Sequence, residues 1–405
     1  YPAFFLSRFK PVNALSGSSG DIKTPNILLR KSLVVLQFSI SIVLIISTLT
    51  IFSQWNHMRN AKLGINPENV LVIPKPSDDF MTFKQEILKN PQVISVSALN
   101  KKPTRELSSN LSFRAEGMEE NTDASIKIVT VDWDFFETIG NKIVQGRDFS
   151  KDFGSDERDG FILNEAAVDF IGWEEPIGKW FETYTLDSAG VNFIKRKGNI
   201  IGVAENFYFE SLHNEIKPVV YFIQNNWINW MVVRISSSDI QNTISFIGEK
   251  WSDFNTEENF QYSFYEDDIQ KLYLNESRIF KIFISFAILA IFIASLGILG
   301  LVSFTAEQRT KEIGIRKTMG ATVSNVIRLL TFDFLKLVIL ANLIAWPVAW
   351  YFMNRWLQDF PVRIDLGIWV FLASAVLAVG IALLTTLYQA WRAASANPAV
   401  ALKYE

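Results

Sequence analysis

LVVLQFSISIVLIISTLTIFS, residues 33–53, holds no Asp, Glu, Lys or Arg. As a helix rising 1.5 Å per residue, this run covers about 30 Å, the thickness of a bilayer's hydrocarbon core. Three further charge-free runs follow, Ile282 to Phe304, Leu337 to Met353 and Leu366 to Tyr388. A buried core helix explains one such run, but four in a single chain read as membrane spans. The third carries Asn342 and Pro347 and is bounded by Lys336 and Arg355, so a kink is expected there, with neighbours satisfying the freed carbonyl. The expected fold class is membrane α-helical: four transmembrane helices and a large extracytoplasmic α+β domain on helical stalks.

Composition agrees with this division. The 33 Phe and 12 Trp suit lipid-facing surfaces and interfacial belts. With no Cys there is no disulfide and no thiolate metal site. The net charge of −3 hides an asymmetry. Residues 54–278 hold 23 Lys and Arg against 35 Asp and Glu, a net of −12, which leaves +9 for the rest. No basic patch of nucleic-acid size stands out, so no nucleic-acid partner is expected.

Lys and Arg near the span ends set the orientation. Arg8, Lys10, Lys23, Arg30 and Lys31 precede the first span, Arg309 to Lys336 hold six cations between the second and third, and Arg392 and Lys403 follow the fourth. With four spans all three segments share one side, the cytoplasm. The acidic 54–278 segment and the 354–365 loop then lie outside the membrane. Residues 1–30 lack the apolar core of a signal peptide, so the first span is expected to stay in the protein.

The expected divisions are a cytoplasmic segment 1–32, a first span 33–53, an outer domain 54–278 and a second membrane part 279–405. The last comprises spans 282–304, 337–353 and 366–388, a cytoplasmic loop 305–331 and a tail 389–405. In the outer domain, alternating stretches predict strands at Val70–Ile73, Ile126–Val131, Gly160–Leu163, Ile200–Val203, Val219–Ile223 and Met231–Ile235. Helical patterns cover Phe80–Lys89, Asp134–Ile139, Asn164–Ile171 and Asp239–Phe254. Gln54 to Leu63 and Asp267 to Lys281 hold no helix breaker, so both flanking spans are expected to continue outward as stalks able to carry movement, unlike a Gly/Ser tether.

Catalytic patterns are scarce. The one Gly-Lys pair, Gly178-Lys179, is followed by Trp180 and does not make a phosphate-binding loop. His57 and His213 are the only histidines, and neither has the surroundings of a triad in the sequence. The acidic runs Asp78-Asp79, Asp156-Glu157 and Glu266-Asp267-Asp268 lack calcium-loop spacing and read as solvated surface. The spans carry no ionisable residue of the kind that marks a proton or ion path. The chain is expected not to be an enzyme and to bind no metal or cofactor itself.

Two spans carry small residues at helical spacing. These are Ala287, Ala290, Ala294, Gly297 and Gly300 in the second and Ala375, Ala378 and Ala382 in the fourth. They read as close helix packing within the chain, with a dimer seam as the alternative. Beyond the second span, TAEQRTKEIGIRKTMGA (305–321) predicts a short charged helix supported by Glu307–Lys311 and Glu312–Arg316 pairs and stopped at Gly320. It reads either as a solvated loop or as a docking element for a cytoplasmic partner.

That stretch resembles the signature of the FtsX/MacB-like family of ABC transporter permeases, which follows the second span in that family. The matching positions are Glu307, Arg309, Glu312, Ile313, Gly314, Ile315, Arg316, Lys317, Gly320 and Ala321; Lys311, the pairing partner of Glu307, joins them in the expected docking element. The outer domain resembles the MacB-like periplasmic core at Gly146 to Phe149, Asn164-Glu165, Pro176 to Lys179, Ile201 to Val203 and Asn206-Phe207. The resemblance implies a permease subunit with a separate cytoplasmic ABC ATPase docked on 307–321. ATP would be bound by that partner, and movement would pass through the stalks to the outer domain. It also implies export of, or outside work on, a drug, peptide or lipoprotein, with an outer adaptor or substrate as a further partner. The rival reading is a membrane-anchored sensor or adhesion protein acting without ATP. Finally, residues 1–15 align without a gap on 388–402, sharing Tyr, Ala, Pro, Ala and Leu at 1/388, 3/390, 11/398, 14/401 and 15/402. The expectation is that the chain is the C-terminal half of a duplicated eight-span permease, paired with a preceding homologous half.

Overall fold

Four helices are long and apolar enough to cross a membrane: α1 (Thr24–Arg59), α8 (Leu274–Gln308), α9 (Val323–Leu357) and α10 (Ile368–Ser395). The computed structural model describes residues 24–76, 79–119, 124–186, 192–254, 259–308, 312, 315–316, 319 and 322–395. The chain divides into two units. One comprises the chain up to Gln54 with Glu276–Gln358 and everything from Ile364, and the other comprises Trp55–Asn275 with Asp359–Arg363.

In the membrane unit, the most apolar window of α1 is 67% buried, against 17% for α8 and 22% for α10, so α1 is the inner helix and the others present apolar faces outward. Ile42 and Ile46 of α1 pack in one cluster with Ala294 and Ile298 of α8, Ala341 and Ala345 of α9, and Ala378 and Ala382 of α10. Alanines on three helices around a branched residue on the fourth allow the close approach that packing in lipid requires. Hydroxyls in this region are satisfied locally. Thr50 Oγ1 donates to the Ile46 carbonyl at 2.9 Å, and Ser39 Oγ donates across to the Ala341 carbonyl at 3.3 Å. α9 runs through Pro347, which has no N–H for the Leu343 carbonyl. One turn earlier Asn342 donates to the Val338 carbonyl and accepts from Trp346 Nε1.

The strands of the outer unit form one continuous eleven-stranded sheet, joined at a Leu99–Val131 pairing, which divides into two sub-sheets. The first comprises β1 (Val70–Pro74), β2 (Val93–Leu99), β10 (Trp230–Ile235) and β11 (Ser263–Phe264) in the order β11-β1-β10-β2, antiparallel throughout. Helix α2 (Phe80–Ile87) joins β1 to β2, and α6 (Ile240–Phe254) joins β10 to β11. This is a split β-α-β arrangement. Both helices cover one face, where Phe83 meets Trp251 edge-on at 5.9 Å among Leu71, Ile73, Met231 and Val233.

Between β2 and β10 the chain inserts a second body. β3 (Asn110–Ala115), β4 (Ser125–Val131), β6 (Gly160–Asn164), β7 (Trp180–Leu186), β8 (Asn192–Ala204) and β9 (Val219–Ile223) pair in the ring β4-β3-β7-β8-β6-β9. The parallel β4–β9 pairing returns to the start and closes a six-stranded barrel. Closure removes the sheet edges that an open sheet would expose. β5 (Ile143–Gly146) pairs β8 outside the ring. Strand alternation sorts the side chains: Phe113, Ile126, Ile128, Phe161, Phe181 and Phe222 fill one core, while Val129, Val131, Ile162 and Tyr221 join Val70, Val72 and Val232 of the first sheet in another. β1 and β9 therefore bury both faces, as their unbroken apolar runs require. The short helices α3 (Phe135–Ile139), α4 (Asp156–Asp159) and α5 (Glu165–Ile171) lie between these strands, and α7 (Tyr265–Leu272) precedes α8.

Both flanking spans continue as helices beyond their expected bounds, α1 to Arg59 and α8 from Leu274, but two details of the stalks and charges differ from expectation. The breaker-free stretch before the second span is not one helix: α7 ends at Tyr273, whose backbone leaves helical geometry at φ −105° and ψ 16°. The buried Tyr273 side chain accepts the Leu212 N–H on its hydroxyl at 3.2 Å, so a tertiary contact stops a helix that no local residue would stop. Two of the acidic runs are also not simply solvated. Asp156 is 1% exposed, and its carboxylate takes a two-pronged contact from Arg147 and the Ser150 N–H. Asp268, buried as well, bonds Lys102, Lys271 and Ser263.

Candidate functional site

Two arrangements bear on function, the loop after α8 and the joint where α1 enters the outer unit. In the loop, Arg309, Lys311, Ile313, Gly314, Lys317, Gly320 and Ala321 lie outside the described residues. The described ones have a simple geometry. Glu312, Ile315, Arg316 and Met319 are spaced i, i+3, i+4 and i+7, which puts them on one face of a helix. The Met319 N–H bonds the Ile315 carbonyl at 3.0 Å, as in a helical turn. Arg316 Nη2 lies 2.7 Å from Glu312 Oε1, with both side chains nearly half exposed. Such a pair contributes about 0.3–0.5 kcal/mol, enough to favour the turn and too little to be the reason for the loop. Ile315 and Met319 are exposed beside it. Glu307, where α8 nears its end, is exposed too. The face thus offers a cation, an anion and two apolar groups to whatever approaches it.

The small residues of the spans take different places. Ala287 and Ala294 of α8 and Ala378 and Ala382 of α10 are buried, while Ala290, Gly297 and Ala375 are half-buried. A Cβ on Gly297 would stand 2.4 Å from Gln37 Oε1 of α1, so a side chain there would displace that contact. Gly300 is exposed, with open space around it.

The joint gathers outer-domain motif residues that the sequence left without a role. Past α1, Gly64 adopts φ +77°, and a Cβ there would meet the Asn206 carbonyl at 2.3 Å. Only glycine fits. Around it the Tyr208 N–H bonds the Leu63 carbonyl at 3.0 Å, and Asn141 Nδ2 bonds the Gly64 carbonyl at 2.7 Å. Asn206 is held reciprocally: its N–H donates to Glu165 Oε2 at 2.8 Å, and its Oδ1 accepts the Ala166 N–H at 2.9 Å. Asn164 caps α5 by accepting the Ala167 N–H at 3.0 Å, accepts the Val219 N–H at 2.8 Å, and donates to the Lys217 carbonyl. Asn164, Glu165, Asn206 and Phe207 therefore form a bracket that holds the Leu63–Gly64 segment against the barrel. Pattern reasoning missed it because its partners are far apart in sequence.

Gly146 to Phe149 form a second fastening. A Cβ on Gly146, at φ +72°, would stand 2.3 Å from the Ile201 carbonyl, and one on Gly202 would stand 2.3 Å from the Arg147 carbonyl. Arg147 clamps Asp156, and Phe149 enters the core beside Phe136. Burial pushes the Asp148 carboxyl up to about 6. The Phe149 N–H offsets part of that, and Asp134 and Glu137 push it further up. The bonds named at these motif residues are made within the chain. His57 is exposed, and the His213 ring packs at a tilt against Phe360, with centroids 4.8 Å apart. Among the described residues no group of acidic or histidine side chains could hold a metal ion.

The chain is similar to several known proteins. Residues 284–398 match the family described as FtsX-like permease C-terminal. The macrolide export ATP-binding/permease protein MacB of Neisseria meningitidis serogroup A is 22% identical over 296 residues, covering 70% of this chain and 44% of that protein. The chain thus spans less than half the length of the MacB proteins it matches. The uncharacterized ABC transporter permease YknZ of Bacillus subtilis is 22% identical over 345 residues, covering 80% of this chain and 84% of that protein. The crystal structure of the periplasmic region of MacB from Actinobacillus actinomycetemcomitans covers 52% of this chain and 94% of its own, with a TM-score of 0.37 and 18% identity. Residues 284–398 thus match an FtsX-like permease C-terminal domain, and the chain as a whole is similar to MacB and YknZ, with four helices long and apolar enough to cross a membrane.

Proposed function

We propose that the chain couples ATP hydrolysis by a separate cytoplasmic ATPase to movement of its outer domain. The observation that carries this is the exposed face Glu312, Ile315, Arg316 and Met319, which follows directly on α8 within the FtsX-like region. Arg309, Lys311, Ile313, Gly314, Lys317, Gly320 and Ala321 complete the docking element on sequence grounds, with Glu307 at its start. A partner seated there pushes on the end of α8. Its displacement travels along α8 to α7 and along α1 to the Gly64 bracket, where the barrel is held without a flexible tether. Nothing need pass between the spans, which suits their lack of ionisable residues. The work done outside is export or release of a substrate such as a drug, peptide or lipoprotein, with an adaptor or the substrate itself as the outer partner. That some relatives are named for macrolide export supports a substrate in this range.

The domain divisions follow the same reading: outer domain 54–278, permease part 279–405 and coupling loop 305–331 of a bacterial cytoplasmic-membrane protein. The gapless repeat of 1–15 on 388–402 and the outward apolar face of α8 support a pseudo-dimer with a homologous half. Purification from native membranes in mild detergent tests the proposal. A stoichiometric ABC-type ATPase is the expected companion, and intact protein without one after cross-linking in cells points to the sensor or adhesion reading instead.

A further inference from the structure

The segments that leave and re-enter the first sheet run side by side. The outgoing one, 100–109, joins β2 to β3, and the returning one, 224–229, joins β9 to β10. Asn229 ties them, donating from Nδ2 to the Asn100 carbonyl at 3.1 Å and from its N–H to the Leu99 carbonyl at 3.0 Å. Between them opens a cleft of ≈ 340 Å³, walled by Lys101, Lys102 and Arg105 on one side and Trp227 and Trp230 on the other.

Its charge runs against the domain's. The outer segment is strongly acidic, yet this lining holds three cations and no carboxylate. Lys102 is engaged, 2.7 Å from Asp268 and over the Trp230 ring at 5.4 Å. Lys101 is not neutralised, since its ammonium donates to the Ser108 hydroxyl. The exposed Arg105 side chain points from a strained turn. Thr104 holds φ +73°, costly for a β-branched residue, and is kept there by its N–H bond to the Phe209 carbonyl at 3.0 Å. Trp227 leaves 44% of its surface in water beside these cations.

We propose that this cleft binds a small organic anion with a flat apolar face, its anionic group on Lys101 and Arg105 and its ring against Trp227. Charge-assisted bonds fix the anionic end, indole contact supplies the apolar surface, and Asn229 offers an amide between them. Because both connecting segments line the cleft, the ligand touches the two crossings between sheet and barrel at once. The site does not depend on the coupling reading.

The test uses the full chain in lipid nanodiscs with naphthalene sulfonate as probe and naphthalene sulfonamide as its neutral counterpart, both read by calorimetric titration. The sulfonate should bind about tenfold more tightly than the sulfonamide and weaken as ionic strength rises, both measurable on the unaltered protein. Lys101→Ala with Arg105→Ala should remove that preference, while Trp227→Ala weakens both probes by about tenfold. Equal affinity for the two probes, or a preference that survives loss of both cations, overturns the proposal.

Discussion

Replacing Lys84 with Met should destabilise the outer unit far more than one surface ion pair suggests. Lys84 Nζ, on α2, lies 2.7 Å from Asp132 Oδ2 at the end of β4, with the two side chains 6% and 0% exposed. Met retains most of the stem's volume and removes only the cation. Asp132 is then a fully buried carboxylate without a counter-ion, and its Oδ1 already has no hydrogen-bond partner. Breaking one side of a buried pair costs about 3–5 kcal/mol. At about 2–4 °C per kcal/mol for a unit of this size, the melting temperature should fall by about 12 °C. Melting of the full chain followed by tryptophan fluorescence measures this. Adding Asp132→Leu should recover most of the loss, because two apolar groups of similar volume replace a buried pair at little net cost. A single variant that melts within about 2 °C of the parent, or a double variant worse than the single, would refute the reasoning.

Three further outcomes follow from other sites. Asp148 has its carboxyl raised to about 6, so the folded state binds a proton more readily than the unfolded chain and loses stability as pH rises from about 4 to about 6. Asp148→Asn should therefore raise the melting temperature at neutral pH, with the gain vanishing near pH 4, and a gain independent of pH would contradict the assignment. Gly64→Ala forces a Cβ into the Asn206 carbonyl and should cost about 2 kcal/mol or more, with earlier proteolysis at 60–64; wild-type resistance would show the joint to be loose. Glu165→Gln keeps the bond to the Asn206 N–H without its charge and should cost about 1 kcal/mol by chemical denaturation, whereas Glu165→Ala should cost more; equal effects would deny the bracket.

The four spans were legible because lipid imposes a rule that needs no partner: a charge-free run of bilayer length. In the outer unit, β1, β6 and β9 were legible because both faces are buried and the apolar runs are unbroken. β2 and β7 were not. Ser95 and Ser97 are buried in β2, and Glu182 and Thr183 in β7, so polar residues sit where the pattern requires apolar ones. Glu182 is buried because Arg114 and Lys197, from neighbouring strands of the barrel, reach it at 3.7 and 3.5 Å, which no local reading reveals. The closed barrel depends on the β4–β9 pairing, about 90 residues apart in sequence, and register of that kind is set by tertiary packing. Of the candidate site, the Glu312–Arg316 pair was visible because i,i+4 spacing is a local property. The bracket at Gly64 was invisible because its bonds join residues about 40 to 140 apart. The helix break at Tyr273 belongs to the same class, being imposed by the Leu212 N–H.

The central claim is that a partner's ATP cycle moves the outer domain through the 307–321 element. The chain has no Cys, so two introduced cysteines are its only labelling sites. Spin labels at exposed Glu249 and Arg355 of the full chain, held with its co-purified ATPase in nanodiscs, would report the distance between them with and without ATP. Exchanging Glu312 and Arg316 preserves an i,i+4 pair, so it leaves the turn folded while reversing the charges on its outer face. The account predicts an ATP-dependent change in the label distance for the parent that disappears in the exchanged variant. No change with ATP in the parent, or the same change in the exchanged variant, would contradict it.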